Sequence, residues 1–95
     1  MLLNKQWKSE VNKVVGSNLK AFLKKSNIYQ SKLALMLGVE KGFVHARFVG
    51  KSPMTAHDIV AIQKALGLSK AECKKFYSIL FNNTNKIEVI SRDKS

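Results

Sequence analysis

An all-α fold is what the amino-acid sequence predicts, and three observations carry it. Apolar residues recur at helical spacing almost throughout the chain. Glycine and proline, which break helices, number five and one in 95 residues. Two capping patterns, Thr55 with Asp58 and Ser69 with Glu72, each stand just ahead of an apolar run. A chain of this length holds one small core, and a hydrophobic content of 45% is ordinary for a globular protein.

At the N-terminal end Leu3, Trp7, Val11, Val14 and Val15 form a helical stripe, with Lys5, Lys8 and Lys13 off it. Two readings stand for this amphipathic extension, residues 1–17. It packs on the domain as an extra helix, or it makes a dimer contact through Trp7 and Val11, since aromatic anchors are enriched at interfaces. Gly16, Ser17 and Asn18 are expected to break the stripe and cap the next helix, residues 19–25, which turns Leu19, Phe22 and Leu23 to the core. Ser26 and Asn27 end that helix, and Ile28 begins the link onward.

The organising stretch is residues 30–50, QSKLALMLGVEKGFVHARFVG. Leu33, Ala34 and Leu37 make one face of a short helix apolar, and Gly38 supplies the left-handed residue that ends it. Val39 is expected as a buried hinge. A second short helix begins near Glu40 or Lys41, faces Val44 and Phe48 inward, and is closed by Gly50. Lys41, Gly42, His45 and Ala46 are left on its outward face.

This layout is that of a helix-turn-helix. Gln30, Leu33, Ala34, Leu37, Gly38, Val39, Val44 and Gly50 are spaced as in the helix-turn-helix domains of phage repressors, Cro proteins and their bacterial XRE-like relatives, which the chain resembles. The likeness extends more weakly over residues 18–77. It implies a five-helix lambda-repressor-like domain over residues 18–81, here with the extra N-terminal helix before it and a short tail, residues 82–95, after it. It further implies binding to double-stranded DNA as a homodimer, with the second helix of the pair in the major groove.

Lys41, long and cationic in the first turn, is the strongest candidate for reading a base, with reach to guanine O6 and N7; a phosphate contact is its plainer role. Gly42 permits close backbone approach, and Phe43 either touches a thymine methyl or packs within the helix. His45 and Ala46 fall where the resembling family has groove-facing side chains, although a surface imidazole near phosphate is the plainer role for His45. Arg47 is expected to pack its stem and to carry its guanidinium to the DNA backbone or a guanine. The resemblance implies that Gln30 reaches a phosphate and braces a side chain of the recognition helix, a solvated first-turn residue being its plainer role, and that Lys51 and Ser52 clamp phosphates. Ser31 and Lys32 share the first turn with Gln30, where free N–H groups and the helix dipole favour an anion. Tyr29 stands where many relatives have Ser or Thr, so this helix begins without a good cap. Glu40 is a carboxylate close to the expected DNA, which repels phosphate unless it accepts from a cytosine amino group.

Beyond this stretch, the Thr55 box opens a helix bearing Ile59, Val60, Ile62, Ala65 and Leu66, ended by Gly67. The Ser69 box opens a last core helix with Cys73, Phe76, Tyr77, Leu80 and Phe81. Asn82 to Asn85 break it, and Ile87 and Val89 then alternate about Glu88 as in a short strand that either frays or pairs with a second subunit.

Seventeen Lys and Arg against six Asp and Glu give a net charge of +11 and a pI near 10.1, a surface that collects anions. The lone Cys73 has no disulfide or CxxC partner, no apolar stretch is long enough to span a membrane, and MLLNKQWKSEV lacks the apolar run of a secretory signal, so a cytoplasmic protein is expected. No nucleophile stands with a His and a carboxylate at a motif spacing, and two isolated histidines do not make a metal site, so neither enzyme nor cofactor or metal is expected. Two functions compete. One is a sequence-specific transcriptional regulator of phage or mobile-element type, Cro-like or a compact repressor, acting on an operator. The other is an adaptor of the same fold that binds an acidic protein partner.

Overall fold

A computed structural model describes residues 5–84 as five α-helices, with no strand among them. They are α1 (Lys5–Lys24), α2 (Gln30–Leu37), α3 (Lys41–Phe48), α4 (Ala56–Leu66) and α5 (Lys70–Leu80). Leu3, Ile87 and Val89, and with them the expected C-terminal strand, lie outside the described residues.

The helix ends follow local chemistry. Asn27, in the left-handed conformation at φ 58°, ends α1: its N–H bonds back to Lys24 O and that of Ile28 to Leu23 O, each at 3.0 Å. Gly38, at φ 70°, ends α2 the same way, with Val39 N–H reaching Ala34 O at 3.0 Å. Both expected capping boxes are formed. Thr55 Oγ1 accepts from Asp58 N–H at 3.1 Å while Asp58 Oδ2 accepts from Thr55 N–H at 3.0 Å. Ser69 and Glu72 reciprocate at 3.2 and 2.8 Å.

Each helix contributes to one core. Val15, Leu19 and Leu23 come from α1, Leu33 and Ala34 from α2, Val44 and Phe48 from α3, Ile59 and Ile62 from α4, and Phe76 and Leu80 from α5. Full burial of each large side chain contributes about 1.5–3 kcal/mol. Phe22 packs against Phe76 with ring centroids 5.0 Å apart. No polar side chain of the described residues is buried in this core. Val60 and Tyr77, expected on core-facing helices, are instead exposed, at 48% and 55%. Val39 is only half-buried.

The main correction concerns Gly16, Ser17 and Asn18. They break nothing: α1 runs through them, so the described part of the N-terminal extension and the expected helix over residues 19–25 form one helix of 20 residues, Lys5–Lys24. Gly16 is buried where α1 crosses the end of α3. A β-carbon there would lie 2.5 Å from Phe48 O and 2.8 Å from Phe48 C, and would also meet Arg47 O. The glycine therefore serves a close helix approach, and the resulting packing offsets its helix cost of about 1 kcal/mol. Asn18 caps a different helix from the one expected. Its Nδ2 donates to Leu80 O and to Asn82 O, both at 2.9 Å, and so satisfies carbonyls at the C-terminal end of α5.

Candidate nucleic-acid interface

Helices α2 and α3 are eight residues each, joined by Gly38, Val39 and Glu40. Leu33, Ala34, Val44 and Phe48 anchor the pair in the core, which fixes which sides turn outward. Gln30 ties the two first turns together, since its Nε2 donates to Lys41 O at 3.3 Å. This bond runs to backbone, whereas the expected brace is to a side chain of α3. Tyr29, as expected, gives α2 no side-chain cap. With no acidic residue in the first turn either, the free N–H groups at the start of α2 have no carboxylate beside them in that turn. Ser31 and Lys32 are exposed there.

On α3, Lys41, Gly42 and His45 are exposed. Val49, immediately after the helix, is 43% exposed and continues the row at four-residue spacing; sequence reading did not single it out. Ala46 is half-buried, and its carbonyl accepts from Lys51 N–H at 2.8 Å and Ser52 N–H at 3.1 Å. These two bonds fold the following loop against the end of α3, leaving Lys51 exposed and Ser52 half-buried. Nothing lies within 4 Å of a β-carbon built on Gly42, so internal packing does not require glycine at that position. Glu40 stands exposed at the N-cap of α3 and makes no cap bond with its side chain.

Arg47 departs from the expectation. Its guanidinium turns to α4, with Nε 3.2 Å from Asp58 Oδ2, and its carbon sits 3.7 Å from the centre of the Phe43 ring. A longer contact, 3.4 Å, joins its Nη1 to Phe43 O. Arg47 and Phe43 therefore form a cation–π pair held by an ion pair to the neighbouring helix, and for Phe43 this is packing within the helix. Asp58 serves both the Thr55 box and Arg47 through one oxygen. Burial pushes its carboxyl up, but the Thr55 N–H, the Arg47 hydrogen bond, the Thr55 hydroxyl and the Arg47 charge outweigh burial and hold it below the usual carboxylate range. The eleven-residue separation of Arg47 and Asp58 hides this pair from any local pattern.

The expected base-reading residues thus divide. Lys41, Gly42 and His45 share the open face with Val49, Ala46 lies between that face and the core, and Phe43 and Arg47 form its edge toward α4. Of the expected dimer residues, Val11 packs against the core and Trp7 is half-buried beside it. Cys73 is half-buried, with Sγ 3.8 Å from Leu68 O.

Among the described residues no group of three or more His, Cys, Asp or Glu side chains is placed to hold a metal ion. No helix among them is long and apolar enough to cross a membrane. In comparisons with family models, curated proteins and solved structures, no match to this chain was found.

Proposed function

We propose that the chain is a sequence-specific DNA-binding transcriptional regulator of phage or mobile-element type, with α2 and α3 as a helix-turn-helix and α3 as the major-groove helix. The observation that carries this reading is the open row Lys41, His45 and Val49, with Gly42 beside it, flanked by the uncapped first turn of α2 and by exposed Lys51. A base-reading helix needs bare side chains at its centre and anion-binding positions at its margins, because phosphate contacts set orientation while base contacts set sequence. The net charge of +11 supplies the attraction that brings such a face to a duplex. One subunit covers one half-site, and half-sites about 34–36 Å apart call for a homodimer on the operator.

The test is selection of duplex fragments by the purified protein, followed by binding measurements on the selected and on random sequence. Lys41→Ala is expected to lower specific binding and to relax preference at one base pair by about 1–3 kcal/mol. Lys51→Ala is expected to weaken all duplexes alike and to flatten the salt dependence by about one unit. Equal losses on both duplexes for both variants remove Lys41 as a base reader. A stoichiometric acidic protein that stays bound after nuclease treatment, with no sequence enriched, turns the reading to the adaptor.

A further inference from the structure

The unbroken α1 carries an ordered row of cations that the helix-turn-helix reading leaves unused. At about 100° per residue, Lys20 and Lys24 fall within about 20° of Lys13, and the three span about 16 Å of helix. All three are exposed, as is Ser17 between them. The packing of α1 shows which side of the molecule they occupy. Gly16, at the crossing with α3, is about 60° from the Lys13 direction, whereas Asn18, which bonds the end of α5, is about 140° from it on the other side. The row therefore flanks α3 and lies away from α5.

Direct neighbours agree. A β-carbon on Gly50 would lie 2.7 Å from Lys13 Cα, so Lys13 adjoins the turn that leads into Lys51. Lys20 and Lys24 line a shallow cleft with Tyr29, Gln30 and Phe48, at the first turn of α2. Each end of the row meets one margin of the open α3 face. The only acid on α1, Glu10, is one turn before Lys13, and no acid follows on this helix.

We infer that Lys13, Lys20 and Lys24 form a second polyanion-binding edge, which grips the phosphate backbone of the same nucleic acid that α3 reads. The inference rests on the proposed DNA-binding role and extends it to α1. A lipid surface fits less well. Amphipathic helices hold membranes by sinking an apolar face, and here Val15, Leu19 and Leu23 are already committed to the core. A duplex backbone asks only for a row of cations, since its charges recur about every 1.7 Å of axis.

The experiment measures the salt dependence of binding of the full chain to the selected duplex and to a random one. The triple variant Lys13→Gln, Lys20→Gln, Lys24→Gln is compared with a charge-matched control on α5, Lys70→Gln, Lys74→Gln, Lys75→Gln. The α1 triple is expected to flatten the slope by about 2–3 units on both duplexes, keeping the ratio between them, and the control by less than about one unit. Lys20→Gln alone, a milder change to an exposed position, is expected to flatten it by about 0.9 unit. The triple with Arg at the same three positions is expected to keep the wild-type slope. Equal flattening by the two Gln triples reduces the effect to net charge and overturns the inference. So does an unchanged slope in the α1 triple, including one that goes with lost binding to phosphatidylserine vesicles measured alongside. Wild-type protein that binds no duplex overturns both the inference and the reading beneath it, whereas wild-type binding with an indifferent α1 triple overturns the inference alone.

Discussion

Gly16→Ala tests the helix crossing, because propensity and packing push the outcome in opposite directions. In an isolated helix the change to alanine gains about 1 kcal/mol. Here the new methyl lies 2.5 Å from Phe48 O and 2.8 Å from Phe48 C, and it also meets Arg47 O. All three are backbone atoms at the end of α3, so no flexible side chain can swing aside and the two helices must separate. Overpacking of this kind costs about 1–3 kcal/mol, and contact with fixed backbone places it at the upper end. The net expectation is a loss of about 1–2 kcal/mol, or roughly 4–16 °C in melting temperature for a domain of this size. Urea unfolding followed by helical circular dichroism measures it. Gly42→Ala is the matched comparison, a helical glycine with open space around it, and it is expected to gain about 0.5–1 kcal/mol. If Gly16→Ala proves as stable as wild type or more so, the crossing is not as close as described and the account of the unbroken helix fails.

Arg47→Met is expected to cost about 1–2 kcal/mol by removing a charge-assisted hydrogen bond. The Asp58 carboxyl is held low, so its contribution is complete above about pH 4–5 and is lost as pH falls through the depressed folded value. Wild type should therefore lose more stability than Arg47→Met between about pH 5 and 2; parallel acid profiles by chemical unfolding would deny the pair that role. Asn18→Ala leaves Leu80 O and Asn82 O without their side-chain donor and is expected to cost about 1–2 kcal/mol, with hydrogen exchange accelerated at the end of α5 rather than at residues 19–22 of α1. Gln30→Ala is expected to cost less than about 1 kcal/mol in stability, because its bond is long and exposed, and, under the proposed DNA-binding role, to lower specific affinity by loosening the tie to Lys41; unchanged affinity would remove Gln30 as a brace.

Local signals in the sequence are legible where they are answered by neighbours in the chain. The two capping boxes need only residues three apart, and the apolar spacing of Leu33, Ala34, Val44 and Phe48 placed all four in the core. Features answered from far away were not legible. A glycine that breaks a helix and a glycine that admits another helix are the same letter, and at Gly16 the partner is some thirty residues distant. Asn18 reads as a cap either way, but the helix it serves lies more than sixty positions on. Helical spacing alone does not separate Tyr77 from its neighbours on α5, where Phe76 and Leu80 occupy the buried positions and the exposed Tyr77 ring lies tilted against Phe81, centroids 4.7 Å apart. For the open face, Lys41, Gly42 and His45 were visible from periodicity, whereas the diversion of Arg47 to Asp58 required α4 to be in place.

An uninterrupted α1 makes one element of two distant contacts. Trp7 stands nine residues, about 13 Å, from Gly16, where the helix meets the last turn of α3. Val11, between them, packs against the core, so the N-terminal turns are seated on the same body that holds α3. The N-terminal turns and the crossing at Gly16 therefore share one helix instead of belonging to separate pieces joined by a hinge.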